Sequence, residues 1–423
     1  MRSVVRISRR RKPREVSRKV IRQVVPEEDA RSTRLWAIQA LVPIGLEAFE
    51  QELHQELEEL TGPRYQRAGG QADLVRWGRQ PGSIYLLDQK LPVQVPRVRD
   101  QRQRQEVPLA TYQGLQTPHA ADRTLFRRLL GGLSCRDYGA ASALDEDSFG
   151  LSASTVSRRF IAVTRGKLKE LQERSLTGEE FVALFLDGKA FEGETVVLAV
   201  GILATGEKKL LGFVQSTTEN ETTCSEFLQS LVERGLRYED GLLCVIDGGK
   251  GLRKAINRVF GRKAAVQRCQ WHKRNNVCSY LPKSQQAAMR KRLKRAMELE
   301  GYEEAKAVLL KIHKELKLAN ESAATSLLEG LEEILTLQKL GLMTELGRSF
   351  KTTNVIESVH AGVGQRTDKV DHYRNSNQLH RWYASAMLDI EPRLRKVCGH
   401  EHLSKLQNAL LAQQGGEQLK KQA

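Results

Sequence analysis

The stretch GLLCVIDGGKG, residues 241–251, runs five apolar residues into Asp247 and then into three glycines and a lysine. An ionised carboxylate in a dry interior is costly unless it is paired, hydrogen-bonded or bound to a cation. Asp247 therefore either caps the helix that begins in GKGLRKAINRVFG or meets positive charge at the end of the strand. The glycines do not make a nucleotide loop, because DGGKGL lacks the GxxxxGK[ST] spacing.

A second apolar strand, FVALFLDG, also ends in a carboxylate, Asp187. TVVLAVGILAT and KKLLGFVQST follow it, separated by a turn at Gly206 and Glu207, as in an antiparallel meander. TTCSEFLQSLVERGL places Phe227, Leu228, Leu231 and Val232 at helical spacing. LLCVID, a helix and the strand AAVQRCQWH complete the run. Three strands, a helix, a strand, a helix and a strand predict an α/β fold with a mixed sheet in RNase H-like order. In that order the first and fourth strands lie side by side, so Asp187 and Asp247 meet at one edge.

Two neighbouring carboxylates repel unless cations neutralise them. A pair of Mg²⁺ ions about 3.5–4 Å apart does so, and serves both oxygens of a phosphodiester displacement. Mg²⁺ keeps several waters, so few protein carboxylates suffice. The third ligand expected is Glu357, in TTNVIESVH. Ile356, Val359 and Val363 there form an apolar stripe for the sheet, Asn354 and Glu357 share a neighbouring face at i, i+3, and Thr353 is placed to cap the helix. His360, one turn on, is a candidate for orienting a ligand or phosphate.

The charge points to a polyanion. The 423 residues carry a net charge of +17, and the first 24 hold ten Lys or Arg against one Glu. Such a run reads as a basic arm lying along phosphates. Lys189, Lys250, Lys273, Arg274, Arg366 and Lys369, near the carboxylates in sequence, are candidate phosphate contacts, with a solvated surface as the plain alternative. From Asp122 to Arg174 the pattern is helical, and GLSASTVSRRFIAV, with Ser152 or Ser154 as N-cap, reads as the second helix of a helix-turn-helix or of an ordinary helical hairpin. In the first case Ser154, Thr155, Ser157, Arg158 and Arg159 face the DNA groove.

The remaining features bound the class. No apolar run reaches the ~18 residues of a membrane span, and no apolar region follows the basic N-terminus as in a signal peptide. The six scattered cysteines fit reduced thiols in a cytosol better than a disulfide framework. The predicted layout is a basic arm (1–30), an N-terminal region of helix, short strands and linkers (31–114), a helix-turn-helix-like DNA-binding region (115–176), the first part of the RNase H-like core (177–272), an all-helical insertion (273–345), the core's final helices (346–395) and a C-terminal tail (396–423). Within the second region, a helix is interrupted at Pro43, SIYLLDQKLPVQVPRV forms two short strands broken by prolines, and DQRQRQ is linker.

FLDGKAF, VIDGGKGLRKAI, QRCQWHKRNN and TTNVIESVH…RTDKV together resemble the mutator-type DDE transposases of bacterial insertion sequences. The likeness is best over residues 181–392. It implies that Asp187, Asp247 and Glu357 bind two Mg²⁺ ions, with Mn²⁺ as a substitute, and that a helical insertion separates the second Asp from the Glu. It implies hydrolysis at the element's ends, attack of the freed 3′-hydroxyl on a target phosphodiester, double-stranded DNA partners (terminal inverted repeats and target), and at least a dimer. Cys269 and His272 match a signature of the family whose chemistry is open: a metal site, with Cys278 as a third ligand, or a structural, hydrogen-bonding pair. Trp271 between them is either a core residue or a stacking platform for an unpaired base. The rival functions are a metal-dependent nuclease or resolvase that cuts without joining, a catalytically silent DNA-binding regulator, and an RNA-processing protein.

Overall fold

The computed structural model describes residues 41–64, 73–86, 89–116, 119–142, 152–191, 194–216 and 220–422. The basic arm and the joint at Gly150 lie outside them. The chain divides into two units, Met1–Val163 and Thr164–Ala423.

In the first unit, helix α1 (Leu41–Thr61) runs unbroken across Pro43, which falls in its first turn, where no intrahelical amide is required. Phe49, Leu53 and Leu57 repeat every four residues and bury against Ile84, Val95 and Val98 of the sheet. That sheet corrects two expectations. Strands β1 (Leu74–Leu86) and β2 (Gln89–Asp100) form one long antiparallel hairpin, with Pro92 opposite Ser83 and Pro96 opposite Arg79. Strand β3 (Gln105–Val107) pairs only with Val98–Asp100. At Pro92 and Pro96, β2 therefore has an open side, where a missing amide costs nothing. DQRQRQ is a tight turn rather than a linker: Asp100 Oδ1 accepts the amides of Arg102 (2.8 Å) and Gln103 (2.9 Å).

Helix α2 (His119–Leu130) packs Phe126 against Phe160 of helix α3 (Ala153–Glu173), ring centroids 6.2 Å apart. Ser152 caps α3, accepting the Thr155 amide on Oγ at 3.4 Å. Val156 and Phe160 are the buried stripe of its first turns, while Ser154 and Arg158 are exposed, Thr155 and Ser157 half-buried, and Arg159 half-buried with its guanidinium 5.6 Å from the Tyr85 ring.

The second unit is built on a five-stranded mixed sheet. Strands β4 (Phe181–Phe191), β5 (Glu194–Leu203) and β6 (Lys208–Ser216) are antiparallel; β7 (Leu242–Ile246) and β8 (Ala264–Arg268) run parallel to β4; the order is β6-β5-β4-β7-β8. Both faces are covered, which is why β7 reads as a continuous apolar run. Leu184, Leu186, Cys244 and Ile246 enter one apolar cluster, closed by helices α4 (Glu221–Glu233) and α5 (Lys250–Phe260). Ala183, Phe185, Leu243 and Val245 enter the other.

This second cluster is closed by α10 (Met343–Phe350), α11 (Asn354–Thr367), α12 (Ser376–Ile390) and α13 (Leu403–Gln422), together with the end of α3. The segment 396–423 thus carries a helix whose Leu403, Leu406 and Leu410 belong to the core. Between β8 and α10 lie helices α6 (Gln270–Ser279), α7 (Lys283–Met297), α8 (Tyr302–Ala319) and α9 (Glu321–Leu328) and two single turns. Val277, Leu293, Leu309, Ile312, Leu327 and Leu335 give this helical subdomain its own apolar cluster.

Candidate active site

Register places the two aspartates. Leu186 lies opposite Ile246 in the parallel pair, and the next residues are Asp247, just beyond the end of β7, and Asp187, which does not end its strand as expected, because β4 continues to Phe191 with Asp187 opposite Leu198 of β5. Side chains alternate along a strand. Phe185 and Val245 face the cluster closed by α10–α13, and by that alternation Asp187, two residues on within β4, takes the same side, while Asp247 lies in the turn after β7. Asp187 is 7% exposed and Asp247 half-buried.

Asp247 does not cap α5, whose N-cap is Gly249 without a side-chain hydrogen bond; its Oδ1 accepts the Gly249 amide at 2.9 Å within the turn that leads into the helix. Positive charge is present as well. His272 is held protonated, its pKa raised to about 9, first by its hydrogen bond to Cys269 and then, against the cost of burial, by the negative charge of Cys269, Asp187 and Asp247.

The Cys269–His272 pair is a structural latch in this arrangement. Cys269 follows β8 directly, and its amide donates to the Ile246 carbonyl at 2.7 Å, beside Asp247. Burial pushes the Cys269 thiol up, but hydrogen bonds from His272 and Thr353 outweigh it and leave the pKa below the usual value. Thr353, which precedes α11, makes no cap hydrogen bond. Its Oγ1 instead donates to Cys269 Sγ at 3.5 Å. A hydroxyl has one proton, so at the 3.4 Å contact with His272 the imidazole Nδ1–H is the donor. The helix that carries Glu357 is thereby tied to the strand end beside Asp247.

Glu357 itself is exposed in the first turn of α11, whose Ile356, Val359 and Val363 are buried on the sheet. Among the described residues no three His, Cys, Asp or Glu side chains converge closely enough to hold a metal ion. Cys278 is buried in the helical subdomain's own cluster. All six cysteines are free. His360 is buried, its Nδ1 2.9 Å from the Tyr383 hydroxyl. Burial and the charge of Lys189 hold its pKa down to about 4. Burial, and after it the charge of Asp187, push the Tyr383 phenol up. Sequence reasoning missed Tyr383, whose place in an apolar helical stripe carries no polar signal.

The cations separate into two groups. Lys189 and Lys369 are exposed, and so is Lys250, although its Nζ lies 3.8 Å from Glu329. Arg274 is half-buried. Lys273 is buried, donating to the Ser326 carbonyl at 2.8 Å, and Arg366 pairs with Asp389 at 2.9 Å. A core position for Trp271 is overturned: the indole is 47% exposed, edge-on to His272 with ring centroids 4.8 Å apart. Buried Arg268 donates to the Gly248 carbonyl at 3.1 Å and the Glu329 carbonyl at 3.0 Å and lies 3.5 Å from Glu333. It joins the turn after Asp247 to the helical subdomain. Among the described residues no helix is long and apolar enough to cross a membrane.

Comparison with known proteins identifies the family. The profile described as "Transposase, Mutator family" matches residues 37–392. The transposase of IS6120 from Mycolicibacterium smegmatis is 28% identical over 247 residues, 56% of this chain and 74% of that protein. The transposase of IS406 from Burkholderia multivorans is 27% identical over 343 residues, 77% of this chain and 84% of that protein. The transposase of IS256 in transposon Tn4001 from Staphylococcus aureus is 27% identical over 256 residues, 57% of this chain and 64% of that protein.

Proposed function

The chain belongs to the Mutator family of transposases, and from that premise we propose that it binds the terminal inverted repeats of its insertion sequence and cuts and joins DNA strands with Asp187, Asp247 and Glu357. The observation that carries this reading is the register of the parallel pair: Asp187, inside β4, and Asp247, the first residue beyond β7, each follow the last paired residues Leu186 and Ile246. Ligands of α/β sheets characteristically bind outside the carboxyl ends of the strands. The order of three antiparallel strands followed by two parallel ones supports an RNase H-like core.

The donor set fits a hard divalent cation: Asp187 and Asp247 are both carboxylates, and Mg²⁺ needs only one or two of these beside its waters. Bound there, two Mg²⁺ ions, or Mn²⁺ in their place, supply Lewis-acid activation of the attacking oxygen and charge stabilisation of the leaving one. The chain's own groups prepare the site. Gly249 fixes the Asp247 carboxylate. The His272 imidazolium offsets the repulsion between the two aspartates. Exposed Glu357, on a helix held by Thr353, is the carboxylate with room to close on the pair.

In this reading the partners are double-stranded DNA and at least one further copy of the chain, and the compartment is the bacterial cytoplasm. Ser154, Thr155, Ser157, Arg158 and Arg159 read the element's ends, and the basic arm adds affinity.

The test is a cleavage and strand-transfer assay with purified protein, Mg²⁺ and a duplex carrying the element's end. Wild type is expected to give nicked and joined products. Asp187→Asn, Asp247→Asn and Glu357→Gln are each expected to give neither while still binding the duplex. Nicks without joined product would point to a nuclease or resolvase. Binding with no cleavage by wild type would point to a silent regulator, and loss of binding in all three variants would make the carboxylates structural.

A further inference from the structure

Acidic residues are absent from Gln270 to Met297, a stretch with eight Lys or Arg. The rest of the helical subdomain, residues 298–341, holds nine Asp or Glu against five Lys or Arg. The positive charge of this subdomain is therefore gathered on α6 and, above all, on α7, KSQQAAMRKRLKRAM.

The burial of α7 is one-sided. Leu293, Ala296 and Met297 pack inward. Arg292, on the flank, pairs with Glu315 at 2.6 Å. Lys283, Arg290, Lys291, Lys294 and Arg295 stand exposed on the opposite side. At 100° per residue these five span less than half the helix circumference, and from Lys283 to Arg295 the row is about 18 Å long. A row of like charges on one helix face destabilises the helix by itself, and among the described residues only Arg292 of the α7 cations has a carboxylate within ion-pair distance.

We propose that the exposed face of α7 is a docking surface for the phosphate backbone of duplex DNA, distinct from the helix-turn-helix-like region. The inference rests on the transposase reading above and adds a second contact region to it. Charge complementarity selects the occupant, since duplex DNA carries one negative charge per ~1.7 Å of its axis. The exposed face of α7 has no aromatic side chain on which bases could stack. Contact is thus to backbone and independent of sequence. The acid-free stretch begins at Gln270, directly after the Cys269 that follows β8.

The test compares three full-length variants with wild type. The first, Lys283→Gln/Lys291→Gln/Arg295→Gln, removes three exposed cations of α7. The second, Lys311→Gln/Lys314→Gln/Lys317→Gln, removes the same charge from the exposed side of α8. The third, Lys283→Arg/Lys291→Arg/Arg295→Lys, keeps the charge of α7. Binding to a fluorescent 40-base-pair duplex of random sequence is read by anisotropy in EDTA across a salt series, with thermal melts to show that each variant folds.

The α7 triple is expected to bind roughly a hundredfold more weakly at 0.1 M salt, with a log K against log salt slope shallower by about 2–3. The other two variants should follow wild type. Equal losses in the α7 and α8 triples, no loss in the α7 triple, or a charge-keeping variant that binds as weakly as the neutral one would each overturn the proposal. So would tighter binding of single-stranded RNA than of duplex by wild type. Failure of wild type to bind any duplex is a different result, and removes the transposase reading as well.

Discussion

Thr353 Oγ1 reaches Cys269 Sγ at 3.5 Å and thereby fastens the first turn of the Glu357 helix to the residue that follows β8. The two residues are distant in sequence and both fully buried. Thr353→Val keeps the shape and removes the hydroxyl, leaving Cys269 and His272 short of a partner. The expected cost is about 1–3 kcal/mol of stability and a fall in cleavage rate of at least tenfold, with duplex affinity unchanged. Thr353→Ser should restore both. A valine variant that cuts at the wild-type rate would show that the latch does not position Glu357.

Glu333 is the nearest carboxylate to buried Arg268 and also pairs with Arg253 at 2.6 Å. Glu333→Gln leaves Arg268 charged, buried and without an anion. Breaking one side of such a pair costs about 3 kcal/mol or more. Urea unfolding should show a lower midpoint; a change below ~1 kcal/mol would mean that the carbonyls of Gly248 and Glu329 satisfy Arg268 by themselves.

Gly248 holds φ at +119°, and a Cβ there would lie 2.8 Å from Arg268 Nε. Gly248→Ala therefore meets both backbone strain and a displaced guanidinium. A loss of about 1–3 kcal/mol is expected, with cleavage reduced because Asp247 sits in the same turn. Thermal melts and the cleavage assay check the two parts separately.

His360 should make stability pH-dependent in acid. Its folded pKa, about 4, lies below the ordinary histidine value. The unfolded chain therefore takes up a proton as pH falls through ~6.5, while the folded chain does so only near 4. The stability conferred by neutral His360 is complete above pH ~6.5 and drains away below it, amounting to about 2.5 kcal/mol between pH 7 and 4.5. Urea titrations at these two pH values should show wild type losing more stability than His360→Asn by about that amount. Equal losses would place the titration elsewhere.

The strands of the mixed sheet are legible as apolar runs, because burial on both faces leaves a pattern no loop imitates. The paired face of α11 is legible for the same reason in Ile356, Val359 and Val363. Asp247 does follow the end of its run, but β4 continues past Asp187 to Phe191, since β5 pairs with the residues beyond it. What the pattern hides is pairing between distant segments. Lys273 reads as a surface cation in an acid-free run, yet the Ser326 carbonyl, brought in by α9, receives it in the interior. Thr353 reads as a cap, yet its hydroxyl turns to Cys269. Pro92 and Pro96 read as strand breakers because the shortness of β3, which leaves their side of β2 open, is a tertiary fact.

The parity of β4 and β7 sets limits on how the gene can drift. Within β4, an added or deleted residue ahead of Asp187 would swing it to the α4–α5 side of the sheet, and within β7 the same change would break the register that sets Asp247 beside it. The same change in the turn around Gly206 or in the helical subdomain shifts no carboxylate across the sheet. Length variation among homologous chains is therefore expected to collect in those connections, while the short apolar runs ahead of the two aspartates keep their register.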